Sequence, residues 1–297
     1  MTRRAGAGSG VIEVRIQQPG QLPGAWLRHA GKLDAGHAAL AQADGGGAGQ
    51  QRHCARQVGL VAHDHDTLAA GPGDTGFLAY PRILPGGQLL TTDVAPEMLE
   101  AARRRAAELG LDNVRFAVED AASLTLADAS VDGMLCRWGL MLVPDMEGAA
   151  AEIARVLRPG GRAAVAVWAS PEENEWMTAS GRSALELGLM ERPDPDAPGP
   201  FRLSGDGRLA SLLENAGLRV ETVEDVPLTW RAPSLEAWWA ITRDMSRMLA
   251  LLLQRLTPDE AEAVRVASER RLERYIGPGG ELVVPGLARV ALAARAG

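Results

Sequence analysis

The chain predicts an α/β fold: a doubly wound, mostly parallel sheet with helices on both faces and a helical insertion near the C-terminus. Three observations predict it. From Gly71 onward, short apolar runs alternate with segments of helical period, the pattern of βαβ units. A glycine-rich turn, AAGPGDTG from Ala69 to Gly76, stands where a first strand meets a first helix. Polar features then follow successive strands, at Asp93, at Asp120 and at Cys136 to Trp138. Ligands of open parallel sheets bind at that carboxyl edge, where strand order reverses.

The glycine turn lets backbone approach a ligand closely, and the helix behind it offers unpaired N–H groups. That helix carries Phe77, Leu78 and Tyr80. The next strand, Gly86 to Asp93, ends in an acid about 20 residues beyond the turn, the place from which a carboxylate accepts both ribose hydroxyls of a nucleotide. Gly71, Gly73 and Gly76 also satisfy GxGxxG, so the turn alone leaves a nicotinamide cofactor open as an alternative. Against that alternative, no Tyr-x-x-x-Lys pair occurs and no lysine follows Lys32. Pro96 opens a second helix with an apolar stripe at Met98, Leu99, Ala102, Ala106 and Leu109, closed by Gly110. Asn113 to Asp120 is a third strand. Ser130 to Val143 holds the fourth and its loop, a helix runs from Met146 to Leu157, and the RPGG turn at 158–161 precedes a fifth strand, Arg162 to Ala169.

The second half is less regular. Pro193 to Pro200 is a stiff connection; Asp206 to Ala216 is a helix ended by Gly217; Arg219 to Trp230 is a strand. Ser234 caps a helix with Leu235, Trp238, Trp239 and Ile241, and Thr257 with Glu260 forms a capping box for another, directed toward Tyr275. Glu281 to Arg295 is a final strand or strand pair, so two helices form an insertion between the last strands. With Trp230, Trp238, Trp239 and the apolar stretch from Met245 to Leu253, that insertion is suited to roof an apolar small molecule, although Trp238 and Trp239 taken alone read as core or subunit-contact residues.

Composition narrows the partners. A net charge of −7 argues against nucleic acid, and no apolar run is long enough to span a membrane. Cys54 and Cys136 form no disulfide framework, which suits a reducing cytoplasm. The N-terminus lacks the apolar core of a signal peptide; rich in arginine and poor in acids, it still allows a transit peptide. The expected partner is a small-molecule substrate, with a homodimer left open. Residues 1–66 differ from the rest: all five histidines and the sole lysine lie there. A flexible tail, a divergent cap over the site and out-of-frame sequence all fit this segment. Its end, His63-Asp-His-Asp-Thr67, stands where a buried strand should enter the glycine turn, and its charges would be costly to bury. Alternating His and Asp could bind a metal, but no further ligand set follows, so none is assigned.

The strings LAAGPGDTG, TTDVAPEMLEAARRRAAELGLDNVRF, VEDAASLTLADASVDGMLCRWGLMLVPD and EIARVLRPGGRAAVAVW resemble class I S-adenosylmethionine-dependent methyltransferases, most nearly the ubiquinone/menaquinone-biosynthesis type. The resemblance covers Leu68 to Trp168. It implies a Rossmann-like, seven-stranded sheet whose last strands form an antiparallel hairpin at one edge. It divides the chain into an irregular segment (1–66), a cofactor-binding core (67–170) and a remainder with the helical insertion (171–297). It implies S-adenosylmethionine as cofactor, with Ala69, Gly71, Pro72 and Gly73 passing under its methionine and ribose. Asp93, with Val94 beside it, would hold the ribose hydroxyls. Met98 would pack near the adenine, Asp120 would accept from the adenine amino group with Ala121 beside it, and Arg137 and Trp138 would line the methionine end. One position departs: Thr67 stands where the family carries an acid, which leaves a catalytically impaired methyltransferase fold as a further alternative. Taken alone, Arg137 also reads as a surface ion pair and Trp138 as packing against the neighbouring helix. No catalytic residue is assigned.

Overall fold

The structure, a computed structural model, describes residues 64–83 and 87–297. The reading of the irregular segment therefore falls, up to His63, outside the described residues, as does Gly86. Five strands run parallel: β1 (Asp64–Leu68), β2 (Gln88–Asp93), β3 (Val114–Val118), β4 (Val131–Arg137) and β5 (Leu157–Trp168). β6 (Leu218–Ala232) and β7 (Leu282–Arg295) complete a seven-stranded sheet in the order β3-β2-β1-β4-β5-β7-β6, with β7 antiparallel to both neighbours. The chain steps outward from β1 to β3, then returns to place β4 on the other side of β1. The carboxyl ends of β1 and β4 thus flank the switch point.

The polar stretch before the glycine turn is a strand after all. Asp64 to Thr67 pair with Gln88 to Thr91 on one side, and His65 to Leu68 with Gly133 to Cys136 on the other. Backbone pairing with two neighbours fixes it where side-chain pattern argued against it.

The helices are α1 (Asp74–Ala79), α2 (Pro96–Glu108), α3 (Met146–Val156), α4 (Glu175–Glu186), α5 (Arg208–Asn215), α6 (Leu235–Met245), α7 (Arg247–Leu253) and α8 (Pro258–Leu272). α1 is short because Pro81 follows; the chain continues as a 3₁₀ turn, Tyr80–Arg82. α2 buries Met98, Leu99, Ala102 and Ala106 as its stripe predicts, but leaves Leu109, its C-cap, exposed. The insertion holds three helices rather than two. Ser246 ends α6 and restarts the chain as α7, its Oγ accepting the Leu249 N–H at 3.2 Å. The RPGG segment is an irregularity inside β5: Val131 pairs with Leu157 and Gly133 with Arg162, so residues 158–161 loop out of register.

β5 meets β7 only from Arg162↔Ala294 to Trp168↔Ala288, whereas β6 and β7 stay paired on to Ala232↔Leu282. The β6–β7 ribbon therefore overhangs the carboxyl edge of the parallel strands. Asn174, fully buried just before α4, fastens it there. Its Nδ2 donates to the carbonyls of Ser170 (3.1 Å) and Leu287 (2.9 Å), and its Oδ1 accepts the Leu287 N–H (3.1 Å). The inner face of the ribbon carries Leu228, Trp230 and Val284 into the main core, beneath α6.

Candidate active site

The glycine turn and the strand-end acid are brought together directly. The Ala70 N–H donates to the Thr92 carbonyl at 2.8 Å, and the Gly71 N–H donates to Asp93 Oδ2 at 2.8 Å. Asp93 Oδ1 accepts the Ala95 N–H at 3.0 Å, an Asx-type turn that leads into α2. A carboxylate can accept about four hydrogen bonds, so each oxygen keeps capacity for a ligand hydroxyl. Gly73 has φ 86°, and the Phe77 ring occupies the place a Cβ would take. Both facts require glycine. Pro72 sits between the two glycines at the turn's partly exposed tip.

Neighbouring strand ends close around this turn. Gly139, after β4, lies so near Ala69 that a Cβ there would collide with the Ala69 methyl. The Glu119 N–H, after β3, donates to the Asp93 carbonyl at 3.1 Å. Val94 is 68% exposed beside Asp93, while Met98, in the first turn of α2, is buried. Asp120 is exposed and accepts the Ala122 N–H at 2.9 Å; Ala121 is buried beside it. The preceding acid is structural. Glu119 is buried, and its oxygens accept the Thr125 N–H and hydroxyl at 2.8 and 2.5 Å.

Arg137 is no surface pair. Its side chain is only 15% exposed; Nε donates to Thr75 Oγ1 at 2.7 Å, and Nη2 lies 3.9 Å from Asp74 Oδ2. Its guanidinium sits 4.1 Å from the Trp138 ring centroid. Trp138 stacks on Trp168, at the end of β5, with centroids 3.9 Å apart. The ladder continues: Trp168 meets Trp176 edge-on at 5.5 Å, and Trp176 stacks on Trp230 of the ribbon at 5.5 Å. Trp238 is wholly buried and donates from Nε1 to the Trp176 carbonyl at 2.8 Å. Trp230 and Trp238 are thus core, the packing reading that Trp238 also carries in the sequence. Trp239, half-buried, and Met248 and Leu251, both on α7 and exposed, remain on the insertion's accessible side.

Sequence reasoning missed Asp74, Thr75 and Arg105. Asp74 is buried and forms a hydrogen-bonded ion pair with Arg105 of α2. Burial holds the Arg105 guanidinium below its usual value, against the opposing pull of Glu108. The acid was visible inside GPGDTG, but its partners lie 31 and 63 residues away, where no local spacing betrays them.

Residues 68–165 match the family model described as a methyltransferase domain. Among curated relatives, an uncharacterized protein of Mycobacterium tuberculosis (strain ATCC 25618 / H37Rv) is 36% identical over 101 residues, 34% of this chain and 35% of that protein. The demethylmenaquinone methyltransferase of Thermus thermophilus is 39% identical over 35% of this chain and 46% of its own length. The chain therefore spans between about a third and a half of these relatives. The match to the nocamycin O-methyltransferase of Saccharothrix syringae runs further: 30% identity over 224 residues, 71% of this chain and 78% of the relative. Among solved structures, a methyltransferase-like protein of Bacillus halodurans superposes with a TM-score of 0.57 at 15% identity, covering 84% of this chain and 100% of that one. A geranyl diphosphate methyltransferase in complex with SAM gives 0.51 at 17% identity, covering 88% and 90%. Both likenesses are of fold.

Proposed function

This chain belongs to the class I S-adenosylmethionine-dependent methyltransferases, and we propose that it transfers a methyl group from S-adenosylmethionine to a small-molecule acceptor. The observation that carries the proposal is the bond from the Gly71 N–H to Asp93, which joins the close-approach turn to a ribose-accepting carboxylate at adjacent strand ends. The residues fit the cofactor: a turn with no side chain at Gly73, a carboxylate with spare acceptor capacity, and an exposed apolar wall at Val94.

When bound, the cofactor supplies an electrophilic sulfonium methyl whose leaving group departs neutral. Protein groups need not protonate it, so the chain's task is to hold, orient and exclude water. We assign Asp93 to the ribose hydroxyls; Ala69, Gly71, Pro72 and Gly73 to the backbone cradle; and Val94 and Met98 to the adenine wall. Asp120 and Ala121 take the adenine edge, and Arg137 and Trp138 flank the methionine end. Residues 67–170 act as the cofactor core and 171–297 as the acceptor side. One relative, matched over 71% of this chain, is an O-methyltransferase, which supports oxygen as the acceptor atom.

Calorimetry tests the reading. S-adenosylmethionine and S-adenosylhomocysteine should bind and NAD should not. Folded protein that takes up neither sulfur ligand would overturn the proposal.

A further inference from the structure

The methyl-transfer reading gives Asp74 no role, yet it is a buried carboxylate at the head of the glycine turn, met by two arginines from distant parts of the chain. One, Arg105, comes from α2. The other, Arg137, ends β4 and does three things at once. It faces Asp74 at 3.9 Å, donates to Thr75 at 2.7 Å, and covers the Trp138 ring at 4.1 Å. Trp138 itself has φ 61°, a left-handed backbone conformation that a tryptophan keeps only where its surroundings hold it. Its surroundings are Arg137 and, stacked 3.9 Å away, Trp168.

From Trp168 the contacts pass through Trp176 to Trp230 on the overhanging ribbon. A continuous path of packed groups thus leads from the glycine turn to the buried inner face of the ribbon. The path is contiguous, and one of its members, Trp138, is held in a costly conformation. Both properties suit transmission of a shift from the turn to the ribbon.

We propose that Asp74 is a positioning residue that, through Arg137, holds Trp138 in its stacked conformation and so couples the cofactor cradle to the tryptophan ladder under the overhanging ribbon. The ligand side of this inference rests on the methyl-transfer reading; its geometry does not. A fixed arginine orients the indole by planar stacking, which neither a lysine nor an unanchored arginine reproduces.

The test uses the full chain with Asp74→Asn, which keeps shape and removes charge, and Thr75→Val, which removes only the Nε acceptor. Two quantities are read: near-ultraviolet circular dichroism of the stacked indoles, and the Kd for S-adenosylhomocysteine. Asp74→Asn should diminish the indole signal and weaken S-adenosylhomocysteine about tenfold; Thr75→Val should do both to a lesser degree, about threefold in Kd. Variants with native far-ultraviolet spectra that keep both properties at the wild-type level overturn the proposal. So does a lost indole signal with unchanged affinity, because the cradle and the ladder are then independent. Should Asp74→Asn fail to fold, Thr75→Val decides alone. Wild-type protein that binds no S-adenosylhomocysteine removes the methyl-transfer reading, and the indole signal of the variants then decides the positioning role by itself.

Discussion

Asp93 accepts one backbone N–H on each carboxylate oxygen, so its loss reaches beyond any ligand. Asp93→Ala leaves the N–H groups of Gly71 and Ala95 without their acceptor. At roughly 1.5 kcal/mol for each partly exposed bond to a charged group, unfolding free energy should fall by about 3 kcal/mol. S-adenosylhomocysteine binding should vanish in the same variant; denaturant titration and calorimetry read the two losses separately. Gly73→Ala acts by another route. Its φ of 86° costs a side chain about 1–2 kcal/mol, and overlap with the Phe77 ring adds about 1–3 kcal/mol. A shift in urea midpoint equivalent to less than about 1 kcal/mol would contradict this geometry. These two residues were legible in the sequence because turn chemistry and spacing are local. Asp74 and Arg105 were not, since only the folded chain brings a buried acid to an arginine 31 residues away.

Among the elements, those with a periodic apolar stripe and a clear cap were legible: α2 from Pro96, α6 from Ser234 and α8 from its Thr257–Glu260 box. β1 was not, because its identity comes from pairing on both sides while its residues are polar. The split between α6 and α7 was also hidden, since Ser246 interrupts an apolar run without proline or glycine. Two predictions belong at this level. Asn174→Ala should free the ribbon's anchor, leaving the Leu287 N–H without an acceptor, at a cost of about 1–3 kcal/mol in chemical denaturation. A shift within error would mean that strand pairing alone secures the ribbon. The second concerns Glu152 on α3, whose carboxyl is held below its usual 4.5 by hydrogen bonding to Arg155 and by the Leu124 N–H. A depressed carboxyl lends stability above its unfolded value and loses it as pH falls through the folded one. Wild type should therefore exceed Glu152→Gln in urea midpoint near neutrality, with the gap closing below about pH 4.5. A gap that stays constant on acidification would assign the difference to packing.

For the whole molecule, the parallel half was readable as a plan, and so were the two antiparallel edge strands, but their overhang was not. Strand-end acids, the glycine turn and the RPGG segment announce β2 to β5 in order. The overhang of β6 and β7 depends on where β5 stops pairing, and nothing in the sequence of either strand marks that point. Nor did the sequence mark the four-tryptophan ladder, whose members come from the loop after β4, from β5, from α4 and from β6.

The overhang has a consequence for how such a molecule can change over generations. The sheet-borne parts of β6 and β7 are already satisfied by each other and by β5. Rewriting the chain between Ala232 and Leu282 therefore breaks no ladder bond in the seven strands. The glycine turn and Asp93 lie outside that stretch, so a different segment grafted there would leave their geometry as it stands.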